Sequence, residues 1–209
     1  MAKLLYIQAS PRGGRSKSIQ VADAFLAACL KAHPGDQAVT LDLFGKDLPA
    51  FDGAALDAKY AIMHGKQHTA EQAEAWKGVE AVIAEFISAD KYLLAVPMWN
   101  FGIPYRLKHY LDLLVQPGCT FSFSPEKGYE GLVTGKPAMI VFARGGDYEN
   151  ADPNTVDFQK RYLELALGFI GITDVRSVVV QPTLAGGPEV ASRKIDAAIA
   201  EARKLAETF

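Results

Sequence analysis

Lys91-Tyr92-Leu93-Leu94-Ala95-Val96-Pro97-Met98-Trp99-Asn100-Phe101-Gly102-Ile103-Pro104 contains one full strand-to-helix passage. From Tyr92 to Pro97 no polar residue alternates with the apolar ones. That is the pattern of a strand covered on both faces, and it points to a parallel sheet between helices. Residues 98–102 read as a loop. Pro104 suits the first turn of a helix over 104–115, where its missing N–H costs nothing.

The same grammar repeats outward. Upstream, Lys3 to Ala9 (KLLYIQA) is a second short apolar strand, and Ser10-Pro11-Arg12-Gly13-Gly14-Arg15 is a loop. Ser16-Lys17-Ser18 opens a helix with the apolar stripe Val21, Phe25, Ala28 and Cys29, stopped by His33-Pro34-Gly35. A strand follows at 38–43, a loop at 44–53, and helices at 54–63 and 69–88, the latter with Trp76, Val79, Val82, Ile83 and Phe86 at helical spacing. Downstream, residues 116–136 mix Phe121, Phe123 and Tyr129 with glycines and prolines, a hairpin composition. Pro137 to Ala143 (PAMIVFA) is a strand, Arg144-Gly145-Gly146 begins a loop to Pro153, and helix 154–170, strand 174–181 and helix 188–207 complete the chain.

Five strands alternating with helices predict an α/β fold. It is a doubly wound five-stranded parallel sheet with right-handed crossovers, helices on both faces, and a small hairpin insertion near 116–136. Its 209 residues suit one domain over 1–209. A net charge of −2 offers no basic field for nucleic acid or anionic lipid. The two cysteines, Cys29 and Cys119, have neither a disulfide framework nor metal-site spacing and fit a reducing compartment. The apolar run 4–7 is too short for a signal peptide, and no stretch approaches the roughly 20 apolar residues of a membrane span. A cytoplasmic protein is expected.

Ligands of open parallel sheets bind beyond the carboxyl ends of the strands, where strand order reverses. The turns to read are therefore 10–18, 97–102 and 143–147. In the first, a helix N-terminus carries unpaired N–H groups and partial positive charge, a natural seat for phosphate. Ser10, Ser16 and Ser18 add hydroxyls. Helix capping explains one serine, but not three around one turn. The second turn, Pro97 to Pro104, can lay aromatic surface on a flat ring while an amide reaches its polar edge, although a packed loop would look similar. In the third, Gly145 and Gly146 let adjacent N–H groups approach a ligand, though a plain turn is the simpler reading of two glycines alone. Neither the phosphate-loop pattern GxxxxGK[ST] nor the dinucleotide pattern GxGxxG is present, so Asp42 reads as an ordinary strand-end residue.

Taken together the turns resemble the FMN-dependent NAD(P)H azoreductase and quinone reductase family, which has the flavodoxin-like fold. The matching residues are Ser10-Pro11-Arg12 with Ser16-Lys17-Ser18, Pro97-Met98-Trp99-Asn100-Phe101-Gly102-Ile103-Pro104, and Arg144-Gly145-Gly146. Residues 130–136 and 168–172 match in order. The stretch from Pro97 to Pro104 is the specific part. The resemblance implies FMN as cofactor and NADH or NADPH as electron donor. It implies ping-pong two-electron reduction of quinones and reductive cleavage of aromatic azo compounds. Cofactor contacts are expected from Ser10, Arg12, Ser16, Lys17, Ser18, Pro97, Met98, Trp99, Asn100 and Phe101, and from Ala143, Arg144, Gly145 and Gly146. It implies a homodimer with shared active sites, with Phe121, Phe123 and Phe169 as the aromatic wall on the substrate side. Trp99 and Ala143 depart from the Tyr and Ser of many relatives and are expected to tune substrate choice. The chemistry is the flavin's, so no catalytic acid or base is assigned and no metal is expected.

Other candidates read as structural. His64 and His68 have metal-ligand spacing, but Gly65 stands where HExxH needs Glu. His109, Asp23 and Asp112 fall on helices as surface or interface residues, and Cys119 has no evident activating partner. Two rivals remain open at this point. One is a flavodoxin-type electron carrier without its own NAD(P)H turnover, against which weak net charge and the aromatic hairpin argue. The other is a nucleotide-binding regulatory module without flavin.

Overall fold

A computed structural model describes residues 1–67, 69–148 and 156–209. The chain runs β1 (Lys3–Gln8), α1 (Lys17–Ala32), β2 (Gln37–Asp42), α2 (Gly53–Met63), α3 (Ala70–Ile87), β3 (Lys91–Pro97) and α4 (Tyr105–Leu114). It continues with β4 (Phe121–Ser124), β5 (Gly128–Gly131), β6 (Ala138–Ala143), α5 (Lys160–Phe169), β7 (Val175–Val180) and α6 (Gly187–Ala206). The main sheet has the order β2-β1-β3-β6-β7, all parallel. Strand order reverses between β1 and β3, so the crevice beyond their carboxyl ends is where a ligand belongs.

Alternation along the central strands sorts two cores. Leu4 and Tyr6 of β1, Leu93 and Ala95 of β3, and Met139 and Val141 of β6 face α1 and α6, where Phe25, Ala198 and Ala202 close the layer. Leu5, Ile7, Leu94, Val96, Ile140 and Phe142 face the other way, onto Val79, Ile83, Leu107, Leu111 and Leu163 of α3, α4 and α5. The strands with continuous apolar runs, β1, β3 and β6, are the three central ones. By contrast β2 is largely exposed except for Leu41, because it is the sheet's edge.

The expected insertion is a two-stranded antiparallel hairpin, β4–β5, pairing Phe123 with Tyr129 and Phe121 with Gly131. It docks on the turn after α5. A Cβ at Gly131 would lie 2.2 Å from the Gly171 nitrogen, so only glycine allows that approach. The helix expected over 154–170 begins, as α5, at Lys160, and residues 154 and 155 lie outside the described residues. The Asp157 carboxylate accepts from the Gln159 and Lys160 N–H groups at 3.1 and 3.0 Å and fixes that entry. Among the described residues no helix is long and apolar enough to cross a membrane.

Candidate active site

Three turns meet at the switch point. Ladder bonds bring them together: Ala9 N–H donates to Ala95 O at 3.0 Å, and Met98 N–H to Ala143 O at 2.8 Å. Between them lies a crevice of about 170 Å³ lined by Ser10, Arg12, Ser16, Lys17, Pro97, Met98, Trp99, Ala143 and Gly145. Nine of the residues expected from the sequence therefore share one wall. Thr183 and Leu184, from the turn after β7, complete it. Sequence reasoning passed over these two, although they too follow the carboxyl end of a parallel strand.

At one end of the crevice α1 begins. Ser16 opens the helix, yet its hydroxyl caps nothing. It lies 3.0 Å from the Ser18 hydroxyl instead. Among the described residues the N–H groups of Lys17, Ser18 and Ile19 find no acceptor; the next one, of Gln20, reaches Ser16 O at 3.0 Å. Ser10 and Ser16 are both buried at 3% exposure. Buried hydroxyls beside open N–H groups at a positive helix end, with Arg12 and Lys17 on the wall, have the chemistry to take a phosphate dianion. Ser18 is fully buried behind Ser16, so its hydroxyl backs this seat rather than lining it. The Gln20 amide holds the approach by donating to Gly14 O at 2.7 Å.

Next comes the aromatic turn. Trp99 and Gly102 exchange backbone bonds of 3.0 and 2.9 Å, closing a two-residue hairpin turn over Asn100 and Phe101. Both central residues are left-handed, at φ 46° and 69°. Asn tolerates that region, whereas Phe there is strained. The turn holds Phe101 at 51% exposure, and Phe158 N–H anchors the Phe101 carbonyl at 3.1 Å. Trp99 also borders a second cavity of about 820 Å³ lined in part by Phe51, Asn100, Tyr105 and His109. Phe44 and Tyr105 pack near Trp99 at ring separations of 5.7 and 6.3 Å. The Phe44 segment is clasped to α4, since Arg106 donates to Leu43 O at 2.7 Å and to Lys46 O, and His109 Nε2 donates to Pro49 O at 2.9 Å.

The third turn supplies paired donors. Among the described residues nothing accepts from the Gly145 or Gly146 N–H. Arg144 differs from its neighbours in direction: its guanidinium is buried beneath the turn, at 2.7 Å from the Asp157 carboxylate and 3.0 Å from Gln159 Oε1. Gln159 in turn donates to Val96 O at 3.0 Å. Arg144 thus ties the ends of β3 and β6 to the start of α5. A hydroxyl-bearing end, an aromatic flank and a donor pair fit a flat phosphorylated ring such as FMN.

Phe121 and Phe169 form a separate cluster with Tyr129, at ring separations of 4.8 and 5.5 Å from Phe169, and Phe123 lies tilted against Tyr129 at 4.9 Å. None of the three phenylalanines lines the crevice. His64 stacks on Tyr60 and bonds its carbonyl at 2.8 Å, while His68 lies outside the described residues. Burial pushes the Cys119 thiol up, away from thiolate reactivity. Asp23 accepts from the buried Tyr6 hydroxyl at 2.8 Å, and Asp112 pairs with Lys108.

A protein-family model described as the flavodoxin-like fold matches residues 2–206. An FMN-dependent NADH:quinone oxidoreductase of Nitratidesulfovibrio vulgaris is 53% identical over 210 residues, all of both chains. The chain belongs to this family of flavodoxin-like oxidoreductases. A second member, from Burkholderia lata, is 42% identical over the full length of both chains. Among solved structures, an azoreductase from Bacillus anthracis superimposes with a TM-score of 0.92 at 33% identity over all of both chains. An FMN-dependent NADH-azoreductase from the same species, solved in complex with FMN, superimposes with a TM-score of 0.85 at 29% identity over 99% of this chain and all of that one.

Proposed function

We propose that this chain binds FMN in the crevice between the turns after β1, β3, β6 and β7, oxidises NADH, and reduces quinones by two electrons. Donor and acceptor take the same open face in turn, a ping-pong order, and aromatic azo compounds are reduced there as well. FMN held there would supply the redox chemistry, hydride transfer from NADH and two-electron reduction of the acceptor. The chain's own residues do the rest. Ser10, Ser16 and the first N–H groups of α1 hold the phosphate. Trp99, Asn100 and Phe101 would contact the ring, and the Gly145 and Gly146 N–H groups would serve its polar edge, where negative charge gathers on reduction.

The uncapped start of α1 carries this reading. A serine in the capping position normally satisfies an orphan N–H, and losing such a cap costs about 1 kcal/mol. Here Ser16 turns to Ser18 and, among the described residues, three donors stay open beside two buried hydroxyls. A phosphate accounts for both facts.

The reading includes one cofactor domain over 1–209, a homodimer and a cytoplasmic location. Support for the dimer comes from the hairpin. Phe123 and Tyr129 are 61% and 65% exposed, and exposed aromatic pairs of this kind are commonly covered by a protein partner. Support for the location comes from two unpaired cysteines.

The deciding experiment is reconstitution. Purified protein incubated with FMN and desalted should be yellow and should consume NADH steadily with menadione, without any added reductase. Protein that stays colourless in excess FMN overturns the reading. Bound FMN without NADH turnover would make it an electron carrier.

A further inference from the structure

We propose that Thr183 is a positioning residue of the flavin site, a role that rests on the reading above. In a trans peptide unit the C=O and the N–H point in opposite directions. The Arg144 carbonyl accepts from both the N–H and the hydroxyl of Thr183, each at 2.9 Å. The Gly145 carbonyl accepts from the N–H groups of Leu184 and Ala185, each at 3.0 Å. Both carbonyls are thereby held toward 183–185, and the N–H groups of Gly145 and Gly146 are turned the other way. Neither of these two N–H groups has an acceptor among the described residues.

Further bonds restrain the turn through Arg144. Arg144 N–H makes the last β6–β7 rung, to Val180 O at 3.0 Å. On the side-chain side, the guanidinium is fixed by Asp157, Gln159 and Gln181. Within this frame the Thr183 hydroxyl is the one side-chain donor on the two carbonyls among the described residues. It does two things. It sets the plane of the Arg144–Gly145 peptide, and by polarising its carbonyl it strengthens the opposite N–H as a donor. A stronger donor at the ring's polar edge favours the reduced, more negative form over the oxidised one.

The test uses full-length protein with Thr183→Val, which removes the hydroxyl and keeps the shape, and Thr183→Ser, which restores it. Three quantities are read: FMN dissociation constant by fluorescence quenching, two-electron midpoint potential of the bound flavin, and thermal midpoint of the apoprotein. In Thr183→Val we expect FMN affinity to fall about tenfold. We also expect reduced flavin to lose about tenfold more affinity than oxidised, which places the midpoint about 30 mV more negative. Thr183→Ser should stay within about twofold of the parent, since a hydroxyl again reaches the carbonyl. Should the valine variant not fold, Thr183→Ala removes the same donor and carries the same expectation. A lowered melting midpoint with unchanged affinity and potential would mean that Thr183 only satisfies a carbonyl, and the proposal fails. It also fails if serine behaves as valine does. A parent protein that binds no FMN at all sinks the functional reading instead, a separate outcome.

Discussion

Phe101→Gly separates what the aromatic turn does for the fold from what it does for the site. Two crossing bonds and two left-handed residues make this a hairpin turn of the type that takes Asn first and Gly second. Asn100 obeys the preference and Phe101 breaks it. An L-residue in that region costs roughly 1–2 kcal/mol, which glycine recovers. Against this, glycine frees the unfolded chain by roughly 0.4–1 kcal/mol. The lost ring was 51% exposed. A fully buried Phe contributes about 1.5–3 kcal/mol, so about half of that is forgone, on the order of 1 kcal/mol. The contributions nearly cancel. We expect apoprotein stability within about 1 kcal/mol of the parent, whereas truncating a fully buried phenylalanine costs about 3–5 kcal/mol. FMN affinity should fall about tenfold or more, because a lost aromatic contact on a flat ring is worth about 1–3 kcal/mol. Urea denaturation of the apoprotein and fluorescence titration with FMN read the two effects independently. An apoprotein weakened by 3 kcal/mol or more would show that Phe101 is a fold residue. Undiminished FMN binding would show that the strain serves something other than the cofactor.

The remaining expectations touch other parts of the molecule. At Gly145→Val the new Cβ would sit 3.0 Å from Leu184 Cδ1. That side chain is 77% exposed and can swing aside, so the apoprotein should melt nearly as before. The valine methyls crowd the crevice, and FMN affinity should drop about a hundredfold, roughly 2.7 kcal/mol; unchanged affinity would remove this turn from the site. Phe169→Ala opens the cluster with Phe121 and Tyr129 and should reorder kcat/KM across a panel of quinones while FMN is retained; loss of FMN instead would refute its place in a partner-facing wall. The Ala2 N–H and the Lys91 ammonium hold the Asp36 carboxyl below its ordinary value. Its stabilisation is therefore complete above the unfolded value of about 3.9 and is lost as the pH falls below it. Asp36→Asn should flatten the decline in urea midpoint on acidification from neutral pH, and an identical decline in both proteins would refute the assignment.

Much of the fold could be read from residue order because its signals are local. Lys3 to Ala9, Tyr92 to Pro97 and Pro137 to Ala143 are apolar without alternation since each has neighbours above, below and on both sides. Glycines and prolines bracket the hairpin because its turns require them. The expected helix 154–170 is interrupted at 157–159 before α5 because Asp157, three positions before the helix, accepts from its first free N–H groups. Helical periodicity cannot register such an entry.

The site was legible where chemistry resides in residue type and hidden where it resides in direction. Serines at a helix start and an aromatic-amide stretch after a strand declare themselves in any alphabetic reading. The inward turn of Arg144 does not, because the same residue type could as well have faced the ligand; what decides it is Asp157, thirteen positions away and meaningful only once α5 is packed. Thr183 was invisible for a further reason. Its hydroxyl matters because β7 lies beside β6, and that adjacency follows from strand order, which no single segment encodes. On the proposed reading, the site takes its side-chain contacts from three turns, and the backbone of a fourth holds its donors in place. Substitutions in that fourth turn should weaken binding of the reduced ring more than binding of the oxidised one.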